Sequence, residues 1–198
     1  MNTIPDAQSL IELLEARTGQ WHDCSLDEAT TGDTGNRFYD LAVSIHRRNF
    51  FQWDREEKVR RRDISSDTVA ELKREIDDSN MQRARLVEGL DELCVSQLNL
   101  VERDDWSNLF LNSETLGQLV DKISILILKI FFTEKQSKRS DLDSKLREIC
   151  SQRVDKLKIQ LKYVAACYDR FLSHLSDGSG YMLAYKQFKM YEDRDLTR

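Results

Sequence analysis

The stretch Leu111–Phe132 (LNSETLGQLVDKISILILKIFF) is apolar on more than one face, whereas the rest of the chain reads as amphipathic. A helix that is apolar around most of its girth must be enclosed by others, while an amphipathic helix needs cover on one side only. The chain is therefore expected to wrap amphipathic helices around this one. Thr115-x-x-Gln118 fits a capping box and marks where the enclosed helix starts. At about 100° per residue from Leu116, one face carries Leu119, Val120, Ile123, Ile127 and Ile130, an ordinary core stripe. A second face, rotated by about 80° to 180°, carries Gly117, Asp121, Ser124, Ile125, Leu128 and Phe132. Gln118, Lys122 and Lys129 point elsewhere. Asp121 and Ser124 thus sit among apolar neighbours, and a carboxylate so placed either finds a donor or cation or has its pKa raised by desolvation. His46, Arg47, Arg60 and Arg83 are the candidate partners.

Composition agrees with helices. A charged fraction of 33%, seven Gly and the single proline Pro5 suit long helices and argue against a many-turned β architecture. With 198 residues, 40% of them hydrophobic, the chain can bury one real core. The expected fold is an all-α, single-domain bundle of about five to six helices, 1–198, around a central apolar helix near 115–136. The Ile123–Phe132 run, broken by Ser124 and Lys129, is too short to span a bilayer, and a basic-then-apolar leader is absent. A formal net charge of −5 supplies no global reason to bind nucleic acid. Cys24, Cys94, Cys150 and Cys167 are scattered, without a CxxC pair or a neighbouring His at ligand spacing, so they read as free thiols in a reducing cytoplasm.

Taken in order, Leu10, Leu13 and Leu14 mark a first helix that stops near Thr18-Gly19, and 19–36 reads as a loop carrying Trp21 and His22. From Arg37 to Arg62 the pattern is helical again. Tyr39, Ala42, His46, Asn49, Phe50, Trp53, Glu57 and Arg60 lie within about 60° of His46, so aromatic and polar groups share one face. A helix built only for packing would fill that stripe with Leu, Ile and Val. A third helix starts at Ser65–Asp67 and runs to about Leu100, and its middle, Asp77–Arg85, places Asn80 and Arg83 where core residues belong. Val101–Leu111 reads as a connector. The last long helix runs from about Ser140 to Ser176 and ends at Asp177-Gly178-Ser179-Gly180. Tyr181, Tyr185, Phe188 and Tyr191 then space as one helical stripe, so 181–198 is expected to dock, with Lys186 and Lys189 alongside.

Neither GxxxxGK[ST] nor GxGxxG is present, no Glu-x-x-His pair suggests a metal site in the bundle, and Gly-x-Ser-x-Gly is absent. Any chemistry would be acid–base or electrostatic, and no cofactor is implied. The polar interruptions leave two readings open. They form either a pocket or a structural network that sets helix register.

The same residues carry a resemblance. His46-Arg47-x-Asn49-Phe50-x-x-Trp53, then Leu111-Asn112-Ser113-Glu114-Thr115-x-Gly117 with Asp121-x-x-Ser124-Ile125-Leu126 and Leu128-Lys129-Ile130, and finally Gln187-Phe188-Lys189-Met190-Tyr191, resemble three ordered motifs of a bacterial family catalogued as domain of unknown function 4254. Leu116 stands where that family usually has Pro, and Asp54 where it often has His. The resemblance transfers no activity. It associates the chain with genes for envelope polysaccharide or lipopolysaccharide assembly.

The reading that joins these observations is a polar pocket for a small anionic ligand, such as a phosphorylated sugar. Its expected residues are His46, Arg47, Asn49, Trp53, Glu57, Arg60, Asn80, Arg83, Asn112, Glu114, Asp121, Ser124, Lys186 and Lys189. The alternative is a non-catalytic adaptor or scaffold whose polar motif residues only fix the bundle. The pocket requires the motifs to converge on a cavity that solvent can reach, whereas the adaptor requires a closed and fully paired network.

Overall fold

The computed structural model describes residues 4–23 and 34–186. Five helices carry nearly all of its regular structure: α1 (Ala7–His22), α2 (Arg37–Val59), α3 (Ser66–Gln97), α4 (Leu116–Ser137) and α5 (Ser144–Ser176). α4 packs against all four others, as an apolar helix must. Its core stripe is buried: Leu116, Leu119, Val120, Ile123, Ile127 and Ile130 are at most 7% exposed. Within the described residues the chain is thus an all-α bundle around the helix that its sequence marks as central.

Each helix starts at a side chain that accepts from an otherwise unpaired backbone N–H: Asp6, Asn36, Ser65, Thr115 and Asp143. Thr115 completes the capping box, since Gln118 returns a bond to the Thr115 N–H while the Thr115 hydroxyl accepts from Gln118. At the other end of α5, Gly178 takes a positive φ of 77° just past the Asp177 cap, where a side chain would be strained.

Two expectations give way. α1 does not stop at Thr18-Gly19 but runs on to His22, so Trp21 and His22 are helical and the loop expected over 19–36 is shorter at its start. Gly in a helix costs only about 1 kcal/mol, and burying Trp21 to 3% exposure beside His46 and Phe50 outweighs that. Second, Tyr181 does not open a helical stripe. Phe110–Leu111 (β1) and Gly180–Tyr181 (β2) pair as a two-residue parallel ladder, with Trp106 stacked on Tyr181, and 182–186 has no helix. Phe110 N–H donates to the Ser179 carbonyl, closing the connector onto the end of α5. The motif Gln187–Tyr191 and Lys189 lie outside the described residues, as does Cys24; Cys94, Cys150 and Cys167 are free thiols. Among the described residues no helix is long and apolar enough to cross a membrane.

Candidate functional site

The polar residues of α2, α3 and α4 meet in one hydrogen-bonded chain. His46, with 0% exposure, lies between Thr18 of α1 and Ser124 of α4: Nε2 is 2.8 Å from the Thr18 hydroxyl and Nδ1 is 2.8 Å from the Ser124 hydroxyl. The direction of these bonds follows from counting protons. Thr18 spends its only O–H on the Leu14 carbonyl at 2.9 Å, so it must accept from His46 Nε2–H. His46 Nδ1 is then a bare acceptor, and Ser124 donates to it. Ser124 in turn accepts from Asn49 Nδ2 at 2.9 Å. Burial drives the His46 pKa down to about 3, against a smaller opposing effect of the Leu14 carbonyl, so the ring is neutral.

Asn49 joins this sealed part to the outer part. Its amide also donates to Asp121 Oδ1 at 2.7 Å, and its carbonyl oxygen accepts from Arg83 Nη1 at 2.7 Å. Asp121 therefore has Asn49 as hydrogen-bond partner and Arg83, with Nη1 3.8 Å from Oδ2, as counter-ion. Its pKa is raised because burial outweighs the Arg83 charge and the Asn49 bond. Arg83 Nη2 and Gln52 Nε2 both donate to Asn80 Oδ1, at 3.1 and 2.7 Å, which ties α2 to α3.

In front of Asn49 and Arg83 a cavity of about 900 Å³ opens between α2, α4 and the start of α5. Asn49, Trp53, Glu57, Arg60 and Arg83, from the expected set, line it. Ile125, Leu128 and Phe132, all on the second face of α4, form its floor, and Trp53 stacks on Phe132 with centroids 4.8 Å apart and planes 6° from parallel. Six cationic side chains, Arg60, Arg83, Lys129, Lys135, Arg139 and Arg153, stand on the wall against two carboxylates, Glu56 and Glu57. Arg83 and Arg139 have counter-ions just off the wall in Asp121 and Asp141, which leaves the wall positive by two charges in a chain whose formal net charge is −5. The sign of the charge around the cavity is thus opposite to that of the chain as a whole.

The other expected residues are placed elsewhere. His46, Asn80, Asp121 and Ser124 belong to the network behind the wall, and Arg47 is half-buried and off it. Asn112 and Glu114 sit before α4, whose first residue, Leu116, is already roughly 14 Å of helix rise from Ile125. Asn112 donates to the Glu114 carbonyl and Glu114 pairs with Lys122, while Lys186 pairs with Glu92 on the surface. These three do not meet the cavity. Lys129, expected to point away, lines it.

Sequence reasoning also missed Asp91. It is 2% exposed and accepts from the Gly117 N–H at 2.7 Å, with Thr115 as a second donor, so it seals the start of α4. Burial pushes its pKa up to about 6 against those two bonds. Gly117 has no room for a side chain: a Cβ would lie 2.7 Å from the Val87 carbonyl oxygen and 2.8 Å from Asp91 Oδ1. The signal was a carboxylate one step from Leu90 in a stripe with Val87 and Cys94. Gln52, Arg139 and Arg153 had no comparable signal, being polar residues at positions that read as ordinary surface.

Chemically, this arrangement can bind and orient an anion. The imidazole of His46 cannot exchange a proton with cavity contents, since both ring nitrogens are taken and the ring is sealed. Among the described residues, no group of three or more His, Cys, Asp or Glu is placed to hold a metal ion. Neither the curated proteins nor the solved structures contain a match to the chain. The family described as "Protein of unknown function (DUF4254)" does match, over residues 40–183, which take in most of α2 and run through β2, and hold the network apart from Thr18 and most of the cavity wall. The chain belongs to that family.

Proposed function

We propose that this protein binds a small anionic metabolite, such as a phosphorylated sugar, in the cavity between α2, α4 and α5. The observation that carries the reading is the local reversal of charge: around a concave, partly aromatic floor the cations still exceed the carboxylates after Asp121 and Asp141 are set against Arg83 and Arg139, in a net acidic chain. Guanidinium groups suit phosphate and carboxylate oxygens because their fork of N–H donors matches those acceptors. Trp53 adds a flat apolar face of the kind that sugar rings and bases pack on. A role beside envelope polysaccharide assembly, which the family resemblance suggests, would suit such a ligand.

The test is a thermal-shift screen of the full chain against nucleotide sugars and phosphorylated metabolites. A ligand at 100 times its Kd stabilises the folded form by about 2.7 kcal/mol, which moves the Tm of a chain this long by roughly 5 to 10 °C. A shift for phosphorylated compounds, lost for their unphosphorylated parents, supports the proposal. No shift across the set favours the adaptor, for which the buried network alone would suffice.

A further inference from the structure

The cavity is not evenly charged along its length. Asn49 and Arg60 both line it from α2, and their separation along that helix is roughly 16 Å. At the Asn49 end Arg83 already has a counter-ion, since Asp121 stands behind it at 3.8 Å. Arg83 is also anchored there by Asn49 and Asn80, which accept two of its five N–H donors. Beside it Gln52 spends its amide N–H on Asn80 and Ile76, while its Oε1 accepts no bond among the described residues. The inner end is therefore near neutral and offers both donors and an acceptor. At the far end Arg153 has no carboxylate partner among the described residues, and Arg60 has only Glu56 at 3.9 Å, a separation at which exposed pairs contribute little. The Trp53–Phe132 stack lies between the two ends.

Resting on the anion-binding reading above, we infer that the ligand carries a single anionic end and lies with it outward. Its phosphate or carboxylate meets Arg60 and Arg153. An uncharged, hydroxyl- or amide-bearing body passes the Trp53–Phe132 wall to reach Gln52 and Arg83. Asp121 is then a specificity-determining residue: by neutralising Arg83 from behind it removes the reason for a second anion to sit at the inner end.

Calorimetric titration of the full chain with four probes separates the possibilities: glucose 6-phosphate, fructose 1,6-bisphosphate, inorganic phosphate and glucose. The expected order has glucose 6-phosphate at least tenfold tighter than inorganic phosphate, and the bisphosphate no tighter than the monophosphate. Arg153→Glu, on an exposed helix face, weakens glucose 6-phosphate and inorganic phosphate alike by tenfold or more. Gln52→Leu weakens glucose 6-phosphate but leaves inorganic phosphate unchanged. Asp121→Asn keeps an oxygen for the Asn49 bond and shifts the preference at least fivefold toward the bisphosphate. A wild-type preference for the bisphosphate, or phosphate binding that survives Arg153→Glu, overturns this orientation while leaving the anion cavity standing. Absence of heat from every phosphorylated probe overturns both. If Gln52→Leu fails to fold, the Arg153→Glu result decides alone.

Discussion

The first turns of α4 and its last turns face different surroundings. At the start, Thr115, Gln118, Gly117 and Asp91 bond to one another in a space so tight that Gly117 cannot carry a Cβ, and the exposed Lys122 pairs with Glu114. At the end, Leu128, Lys129, Phe132 and Gln136 border a cavity whose cations outnumber its carboxylates. Between them, Ser124 and Asp121 pass hydrogen bonds from one regime to the other, through His46 inward and Asn49 outward. The closed end gives α4 a fixed position and direction. The open end can then present cations at fixed places without each one needing a partner. Residues quoted for the family resemblance fall mostly in the closed end and the middle, so much of what makes those motifs distinctive is the anchoring of a helix.

Breaking the middle should have the largest effect. His46→Ala removes a fully buried ring, leaves a void and strands the Thr18 and Ser124 hydroxyls without their partner. A loss of about 4 kcal/mol is expected from cavity and unsatisfied-group costs together, read as a lower urea midpoint. A loss below about 1 kcal/mol would contradict a sealed network.

The pH profile is the next test, because His46 in the middle and Asp91 at the closed end carry shifts of opposite sign. His46 has a folded pKa of about 3 against an ordinary 6.5, so its contribution is present above pH 6.5 and is lost as pH falls toward 3. Asp91 has a folded pKa of about 6 against 3.8, so its contribution is present below 3.8 and is lost as pH rises through 6. Between pH 6.5 and 4 the two nearly cancel. Asp91→Asn retains an oxygen for the Gly117 N–H and removes the titration. Relative to the variant, the wild type should gain roughly 2.4 kcal/mol as pH falls from 7 to 4, measured as two stability profiles by urea unfolding. Parallel profiles would show that Asp91 titrates as an ordinary exposed carboxylate.

Much of the fold and part of the site can be read from the residues, and the reason lies in what periodicity measures. It assigns a residue to a face of its own helix. That was sufficient for the two faces of α4, for the Thr115 cap, and for Asp121 needing Arg83 or a similar partner. Periodicity does not say which helix stands opposite. Thr18-Gly19 reads as a helix stop in sequence, yet Trp21, two residues past it, packs beside His46. Arg153 reaches the cavity only because α5 runs back along α4, a pairing also seen in the Lys158–Glu134 bridge at 2.7 Å. Asn112 and Glu114 were drawn into the expected site by their place in a motif, yet they serve the entry to α4. A motif marks constraint, and here a close helix contact imposes as much constraint as a ligand would.

The open end should tolerate change. Arg153→Gln removes a cation with no carboxylate partner among the described residues, on the outer face of α5, where substitutions usually stay within about 0.5 kcal/mol. Removing it also relieves repulsion among the like charges of the wall, so the sign of that small effect is expected to be stabilising at low ionic strength and to vanish as salt screens the cluster. The measurement is a pair of urea titrations at low and high salt, for wild type and variant. If the cations of this wall served only to hold the bundle together, Arg153→Gln would instead lower stability at both salt concentrations. The open end would then be structural in the same sense as the closed one, and the contrast between the two ends of α4 would lose its functional meaning.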